Sequence, residues 1–468
     1  MTNITISETA LADFTAQLHG KCITDVSSEF DQARSVWNAS IDKKPAFIVR
    51  CMGVADVMHS VRFARTHKLL VAVRGGGHNV AGNATCDDGM VIDLGRMNAV
   101  HTDVLNQSVR VEGGATIGDV DRETQLFGLA VPLGIVSETG IGGLTLCGGH
   151  SWLTRLHGFA CDNLISMDII TAEGDLVTAS EAQNPDLLWA LKGGGGNFGI
   201  VVSFKFKAHQ IGNMVTFCAP FYPMENAAEI MRFWRDHMKS APDKFTGNFT
   251  LWSIPAHENF PPDFHGKPVA IPTGVYCGPE DEAMEFIQPL RDLGEPLFDL
   301  SGPIPYAAVQ QAFDPYFSSK EKRLNYWKSL FMDELSNASI DAIVARAKNR
   351  PDPWTLMAIR HLGGRGSSFT AKDSPLGGRD ADFLMSIDTS WTDSAKSSAA
   401  MNWTQEFWDE MAEGTSGRAY LNFLSQTDNH ENLLRASYGE DVYTRLKSVK
   451  TKYDPSNFFS LNQNIPPQ

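Results

Sequence analysis

The chain has 468 residues, more than one typical domain, and this length predicts two or three domains. Acidic residues outnumber basic ones by 55 to 40, the formal net charge is −15, and 43% of the residues are hydrophobic. This composition is typical of globular proteins and argues against nucleic acid or an anionic membrane as the main partner. No apolar run reaches transmembrane length, and the N-terminus lacks a basic stretch followed by an apolar core, so neither membrane insertion nor secretion is expected.

Seven cysteines are scattered along the chain: Cys22, Cys51, Cys86, Cys147, Cys161, Cys218 and Cys277. An odd, irregular set in a long chain without a visible secretion signal indicates reduced thiols rather than a disulfide framework. We therefore expect a cytoplasmic protein.

The first predicted elements form a β-α-β unit that ends in a glycine loop. PAFIVR at 45–50 is rich in β-forming residues, and valines at helical spacing follow it from residue 54. LLVAV at 69–73 is a buried type of strand that leads directly into RGGGHN at 74–79. A further strand is predicted at 91–95.

Two more glycine-rich stretches follow, at 134–150 and at 192–201, and the second leads into the strand VVSFKF. Turns alone do not need so many glycines, whereas loops of bare backbone amides can surround a pyrophosphate. RGGGHN does not fit the Rossmann fingerprint, and KGGGGNFG lacks the GK[ST] end of a Walker loop. Taken alone, each loop indicates a tight turn more often than a cofactor site.

After about residue 208 the composition changes. Strand-like pieces such as GNFTLWS and FLMSIDTSW alternate with amphipathic helical pieces at 224–239 and 281–293, which predicts an antiparallel sheet with helices. Near the end, AYLNFL at 419–424 is predicted to be a strand, and 441–453 a helix that Pro455 ends.

Taken in order, five segments resemble the berberine-bridge-enzyme-like group of the vanillyl-alcohol oxidase superfamily. They are DQARSVWNASIDKKPAFIVRC at 31–51, VAVRGGGHNVAG at 71–82, TGIGGLTLCGGHSWLTRLHGFACDNL at 139–164, NPDLLWALKGGGGNFGIVVSFKF at 184–206 and VKTKYDPSNFFSLNQNI at 449–465. The resemblance implies an α+β, two-domain PCMH-type FAD-binding fold with an antiparallel-sheet substrate domain. Residues 1–208 and 405–468 would form the FAD domain, and 209–404 the substrate domain.

The resemblance implies that His78 is bonded covalently to the 8α carbon of FAD. Histidine suits this bond because its neutral imidazole, with an ordinary pKa of about 6.5, is well populated near neutral pH. Some members have a second bond from a cysteine to the flavin, but Val136 stands at the matching position. We therefore expect a single bond, with Cys147 as a less favoured second nucleophile.

The remaining cofactor residues are inferred from the matched motifs. The predicted FAD-binding set is Arg74, Gly75, Gly76, Gly77, His78, Asn79, Gly82, Thr139, Gly140, Gly142, Gly143, Thr145, Gly148, Gly149, Asn163, Gly196, Asn197, Gly199, Ile200, Val201, Gln463 and Asn464. Thr139 matches the position that controls oxygen access in relatives.

Oxidation of a substrate by FAD requires a base for the substrate proton. On the predicted strand, Tyr420 and Asn422 share a face, and the resemblance places them beneath the substrate. Tyrosine has an ordinary pKa of about 10, so Tyr420 needs a lowered pKa to act as the base. The alternative is a tyrosine that only packs and hydrogen-bonds. Asp388 is another possible acid-base residue, while Arg379 and Trp391 have either functional or structural roles.

The predicted activity is that of an FAD-dependent oxidase. It takes two electrons from a small alcohol, sugar, amine or natural-product intermediate and passes them to O2, giving hydrogen peroxide. The alternatives are a dehydrogenase of the same fold and a flavin-containing protein that binds a metabolite, as in drug resistance.

A zinc site at Cys147, His150, His157 and Cys161 is disfavoured because its central spacing is too short, so no metal is expected.

Overall fold

The computed structural model describes residues 6–426 and 430–468. The first part is a small four-stranded sheet with the strand order β1-β2-β4-β3, in which β4 pairs in parallel with both β2 and β3. Its elements are α1 (Glu8–Thr15), β1 (Lys21–Thr24), α2 (Phe30–Arg34), β2 (Phe47–Arg50), α3 (Val54–Thr66), β3 (Val71–Arg74) and β4 (Met90–Asp93). The predicted β-α-β unit is present as β2-α3-β3. Its two strands do not pair with each other, because β4 inserts between them.

A second sheet of five strands is antiparallel, in the order β5-β6-β10-β8-β9, and the short strands β7 and β11 pair beside it. Its elements are β5 (Val100–Asp103), β6 (Ser108–Glu112), α4 (Ile117–Thr124), β7 (Leu129–Ala130), α5 (Ile141–Leu146), α6 (Thr154–His157), β8 (Leu164–Ile170), β9 (Leu176–Ser180), α7 (Pro185–Leu191), β10 (Ile200–Lys207) and β11 (His209–Gln210). The first glycine loop directly follows β3, the second glycine-rich stretch contains α5, and the third leads into β10.

The third sheet has nine strands and is antiparallel, as predicted for the middle of the chain. Its strands are β12 (Met214–Cys218), β13 (Pro220–Pro223), β14 (Phe245–Ser253), β15 (Pro268–Tyr276), β16 (Phe298–Asp299), β17 (Gly302–Pro305), β18 (Leu324–Met332), β19 (Leu356–His361) and β20 (Phe383–Trp391). Its helices are α8 (Ala227–Met238), α9 (Glu280–Arg291), α10 (Tyr306–Gln311), α11 (Asp314–Phe317), α12 (Asn337–Lys348) and α13 (Ser397–Ala412).

Alternation along the strands decides which face of this sheet meets the rest of the protein. Met357, Ile359, Met385 and Ile387 pack in one core with residues of α8, α9, α12 and α13. Arg360 directly follows Ile359 in β19, and Asp388 directly follows Ile387 in β20. Their side chains therefore point to the opposite face of the sheet. That face lies toward the first half of the chain and forms the roof of the site described below.

The C-terminal segment returns to the first half. It contains α14 (His430–Tyr438) and α15 (Glu440–Tyr453), which includes the predicted helix at 441–453. Lys450 anchors the tail after this helix, because its ammonium donates to the carbonyls of Asn197 and Phe459 and to the Asp454 carboxylate. Within the described residues, none of the helices combines the length and the apolar character needed to span a bilayer.

Candidate active site

A large cleft lies between the glycine loops and the nine-stranded sheet. It encloses about 1860 Å³ of empty space, including its opening to solvent. The C-terminal tail closes one side of it with Phe459, Leu461, Asn462 and Gln463.

Many of the predicted residues line this cleft together, although they come from distant parts of the sequence. They are Gly75, Gly76, Gly77, His78, Asn79, Thr139, Gly140, Gly142, Gly143, Gly196, Gly199, Ile200, Val201, Tyr420, Asn422 and Gln463. The tertiary fold thus brings all three glycine loops, the tail and the Tyr420 segment to one cavity.

The other predicted cofactor residues are not among those that line the cleft. They are Arg74, Gly82, Thr145, Gly148, Gly149, Asn163, Asn197 and Asn464. Arg74 pairs with the buried carboxylate of Asp93 at 2.8 Å, below the first glycine loop. Asn197 joins the third glycine loop to the tail, because its amide donates to the Gln463 carbonyl and its oxygen accepts from the Ile465 amide. Both residues support the wall rather than form its surface.

The glycines fit a bulky ligand that approaches the backbone. A Cβ at Gly76 would collide with the backbone of Gly140, and the reverse is also true, so the first two glycine loops pack against each other too closely for any side chain. A Cβ at Gly143 or Gly196 would meet no protein atom within 4 Å. Those two positions leave open space in the cleft wall, and exposed amides and absent side chains are what a pyrophosphate-containing cofactor such as FAD requires.

His78 is held on three sides. Its ring stacks on Trp37, with centroids 5.4 Å apart and planes inclined by 21°. Nε2 lies 3.8 Å from Oε2 of Glu138, and Nδ1 lies 3.5 Å from the Thr139 hydroxyl. The contact with His78 is the main reason why the pKa of Glu138 falls to about 2. His78 therefore has a defined orientation next to a permanent negative charge.

Tyr420 is buried in the cleft wall, and three donors surround its hydroxyl oxygen. The backbone amides of Gly149 and His150 donate to it at 2.7 and 3.1 Å, and the Asn422 side-chain amide donates at 3.0 Å. The donors favour the ionised form, but burial dominates and raises the pKa of Tyr420 above its ordinary value. This direction is opposite to the one that a resident base requires.

The prediction of a strand at 419–424 is wrong. Tyr420 has an extended backbone, but Leu421–Phe423 form a single 3-10 turn. The reason is a tertiary contact: the Ser329 hydroxyl accepts from the Tyr420 amide at 2.9 Å and donates to its carbonyl at 3.1 Å. One side chain thus satisfies the backbone groups that a neighbouring strand would otherwise pair with. The turn still places Tyr420 and Asn422 in contact.

Asp388 and Arg360 form the polar part of the roof. Burial raises the pKa of Asp388 to about 6, although the nearby Arg360 guanidinium opposes the shift. Arg360 donates to the Ser386 hydroxyl at 2.8 Å, and the Ser386 hydroxyl also lies beside Asp388. Oδ1 of Asp388 is buried and has no hydrogen-bond partner among residues 6–426 and 430–468. It is therefore an acceptor that is available to a bound ligand.

Sequence reasoning missed several residues of the cleft and its surroundings: Trp37, Glu138, His150, Trp327 and Arg360. Arg360 carried a signal, since a charge in the otherwise apolar strand LMAIRH points to one particular face. Glu138 carried none, because nothing in the sequence shows that it lies beside His78.

Arg379 and Trp391 have structural positions outside the cleft. Arg379 forms a buried ion pair with Asp162, and the Trp391 indole donates to the Ser397 hydroxyl.

Val136 and Cys147 both line the cleft, and burial raises the pKa of the Cys147 thiol to about 12. A thiol with so high a pKa is a poor nucleophile near neutral pH.

The four residues of the alternative zinc motif have different surroundings. Cys147 lines the cleft, the His150 backbone binds Tyr420, His157 stacks on His209, and Cys161 lies beside Arg379. Over the part of the chain that the structure describes, no group of three or more His, Cys, Asp or Glu side chains could hold a metal ion.

Two protein families match the chain in the regions that build the cleft. The FAD binding domain family matches residues 45–180, which contain the first two glycine loops. The berberine and berberine-like family matches residues 419–466, which contain Tyr420 and the tail.

Similar proteins extend the likeness to nearly the whole chain. An uncharacterized FAD-linked oxidoreductase of Bacillus subtilis (strain 168) is 29% identical over 456 residues, which cover 96% of this chain and 98% of the relative. The (R)-6-hydroxynicotine oxidase of Paenarthrobacter nicotinovorans is 29% identical over 481 residues, covering 96% and 97%.

Solved structures show the same likeness over nearly the whole chain. The crystal structure of 6-hydroxy-D-nicotine oxidase from Arthrobacter nicotinovorans has a TM-score of 0.85 and 28% identity, covering 96% of this chain and 98% of that one. A chitooligosaccharide oxidase, at 21% identity and a TM-score of 0.85, shares the fold over 98% of this chain and 100% of its own. With its glycine-lined cleft, its match to the FAD binding domain family and its berberine-like C-terminal match, this chain is an FAD-linked oxidoreductase that resembles the berberine-like proteins.

Proposed function

We propose that the protein is an oxidase that holds FAD through a covalent bond to His78 and transfers electrons from a small molecule to O2. The observation that carries this proposal is the shared cleft: His78 in its glycine loop, and the acid-base residues Asp388 and Tyr420, line one cavity. The substrate is a small alcohol, sugar, amine or natural-product intermediate. The oxidase name of the 6-hydroxynicotine-oxidising relative supports this class of reaction.

We also propose that residues 209–404 form a substrate domain between the two parts of an FAD domain, 1–208 and 405–468. The separate nine-stranded sheet supports this division. The glycine loops, His78 and the tail residue Gln463 would hold the cofactor. When bound, FAD supplies an acceptor for two electrons from the substrate.

Asp388 is the better resident base. Its pKa of about 6 leaves it mainly ionised at neutral pH, and its unpartnered Oδ1 can accept the proton of a substrate O–H or N–H group. Tyr420 is protonated at neutral pH, and three donors already occupy its oxygen. The hydroxyl of Tyr420 is thus fixed in direction and orients the substrate, while Trp37 and Trp327 shield the site from water.

Acid precipitation of the purified protein tests the covalent bond. We expect yellow colour to stay in the washed pellet, and the His78→Ala variant to release all its flavin. His101→Ala is the matched control, because His101 is an exposed histidine outside the cleft. Flavin that leaves the wild-type pellet would contradict the covalent bond.

The reaction with oxygen needs no known substrate. The flavin is reduced by light in the absence of air, mixed with O2, and its reoxidation is followed together with peroxide. Rapid reoxidation with one equivalent of peroxide is expected. Reduced flavin that persists in air would contradict the oxidase proposal and favour a dehydrogenase.

A further inference from the structure

A carboxylate from the second glycine-rich stretch lies next to His78, on the first glycine loop. We propose that Glu138 is a positioning residue for the covalent attachment of FAD: it holds the proton of His78 on Nε2 and leaves Nδ1 to form the bond. This inference rests on the proposed covalent bond at His78 and assigns a role to a residue that is not in the predicted FAD-binding set.

The geometry distinguishes the two nitrogens of His78. Oε2 of Glu138 lies 3.8 Å from Nε2, which is ion-pair distance, while Nδ1 faces the neutral hydroxyl of Thr139 at 3.5 Å. A negative charge beside one ring nitrogen favours the tautomer with the proton on that nitrogen. The lone pair is then on Nδ1. Trp37, stacked on the ring, prevents the imidazole from turning over.

Glu138 is itself fixed in place. Its carboxylate accepts from the Ser319 amide at 2.8 Å and from the hydroxyls of Ser318 and Ser319 at 3.4 and 3.2 Å. These contacts and His78 lower the pKa of Glu138 to about 2, so the carboxylate stays ionised over the whole physiological range. Ser318 and Ser319 come directly after helix α11 in the middle of the chain, so the charge is placed only when that segment packs on the glycine loop.

The reaction that Glu138 assists is an oxidative attachment in which atoms and electrons balance. A bond forms between Nδ1 and the 8α carbon, one C–H proton leaves the 8-methyl group, and the Nε2 proton leaves the imidazole. The two electrons released reduce the flavin ring, and O2 takes up those electrons and two protons to give hydrogen peroxide. Positive charge develops on the imidazole as the bond forms, and a carboxylate 3.8 Å away stabilises that charge.

The surroundings of Glu138 also give the Nε2 proton of His78 a route to solvent. His78 and Glu138 both line a second recess, which shares the first glycine loop with the cleft and holds about 2100 Å³ of space, including its opening to solvent. The Glu138 side chain is 38% exposed and does not line the cofactor cleft. A proton that leaves Nε2 can therefore reach water without crossing the cofactor site.

The test measures attachment separately from binding. The full chain is produced under riboflavin limitation, FAD is added in air, and covalent flavin is measured by in-gel fluorescence after acid precipitation. We expect Glu138→Gln to bind FAD normally but to form the covalent bond at least 10-fold more slowly, and Glu138→Asp to recover part of the rate. Glu285→Gln is the matched control, because Glu285 is an exposed carboxylate on α9 that lines neither the cleft nor the surroundings of His78.

The outcomes separate the two proposals. Wild-type protein without covalent flavin would overturn the bond at His78, and this inference with it. Covalent wild-type flavin together with an unchanged rate in Glu138→Gln would overturn only the role of Glu138. Loss of all FAD binding in Glu138→Gln would overturn it too, by assigning Glu138 to the fold of the site. Peptide mapping that finds the flavin on Nε2 would contradict the proposed tautomer.

Discussion

At the scale of single residues, the site contains two acid-base groups with opposite environments. Asp388 has a pKa of about 6 and an acceptor oxygen without a hydrogen-bond partner in the described part of the chain. Tyr420 has a pKa raised by burial and an oxygen that already accepts three hydrogen bonds. The two groups therefore predict different pH dependences of substrate oxidation.

The Asp388→Asn substitution should slow anaerobic flavin reduction by a substrate about 10²- to 10⁴-fold, because it removes the base and leaves the shape of the roof unchanged. The wild-type rate should rise with pH through about 6, where Asp388 loses its proton, and the variant should lose this dependence. Stopped-flow flavin absorbance at several pH values measures both effects.

Two further variants serve as controls for that measurement. Tyr420→Phe should keep the rise near pH 6, and Asp281→Asn, at an exposed carboxylate on the first turn of α9, should match the wild type. The base would be Tyr420 instead if the wild-type rate rose only in the alkaline range and Asp388→Asn remained active.

At the scale of elements, the C-terminal helix α15 matters because it holds the tail against the cleft. The Lys450 ammonium is fully buried and bonds to Asp454 at 2.7 Å and to the carbonyls of Asn197 and Phe459 at 2.7 and 3.0 Å. Those contacts join the helix, the third glycine loop and the tail. The tail in turn lines the cleft.

Lys450→Met should therefore lower the free energy of unfolding by about 3–5 kcal/mol, because it leaves the buried carboxylate of Asp454 without its partner. FAD binding should weaken as well, since the tail loses its anchor. Denaturant unfolding and FAD titration measure the two effects. Lys447→Met, on the same helix but outside the buried contact, should change stability by less than about 0.5 kcal/mol. Equal effects of both substitutions would contradict this account.

At the scale of the whole molecule, the first half and the middle of the chain meet through a buried polar contact. The Gln310 amide of α10 donates to Asp121 of α4 at 3.1 Å and to the Gly134 carbonyl at 3.0 Å. Burial raises the pKa of Asp121 to about 7. Between about pH 4 and 7 the folded protein keeps a proton that the unfolded chain releases, so this residue makes stability fall as pH rises through that window.

Asp121→Asn should remove this pH dependence. The variant should be more stable than the wild type above about pH 7, by up to about 4 kcal/mol, and nearly equal to it at about pH 4, where Asp121 is protonated in both states. The difference in melting temperature between variant and wild type, measured across pH, checks the sign. A difference that shrinks as pH rises would contradict the raised pKa.

Much of the fold was predictable because local patterns dictate it. The strand at 45–50, the helix after it, the middle-sheet strands GNFTLWS and FLMSIDTSW and the helix at 441–453 all occur where sequence patterns placed them. The strand at 419–424 failed because one side chain, Ser329, replaces the backbone partner of Tyr420, and no pattern near residue 420 shows that contact.

The sequence by itself determined the glycine loops, the histidine behind the first of them and the resemblance to berberine-like FAD-linked oxidoreductases, because these depend on residue types in a fixed order. Only the tertiary structure decided which predicted residues line the cleft and which do not. It also decided that β4 lies between β2 and β3, that Asp388 faces the cleft with a free oxygen, and that Glu138 lies beside His78. Those facts depend on contacts between segments far apart in the chain, and burial, pKa and hydrogen bonding result from such contacts rather than from neighbours in sequence.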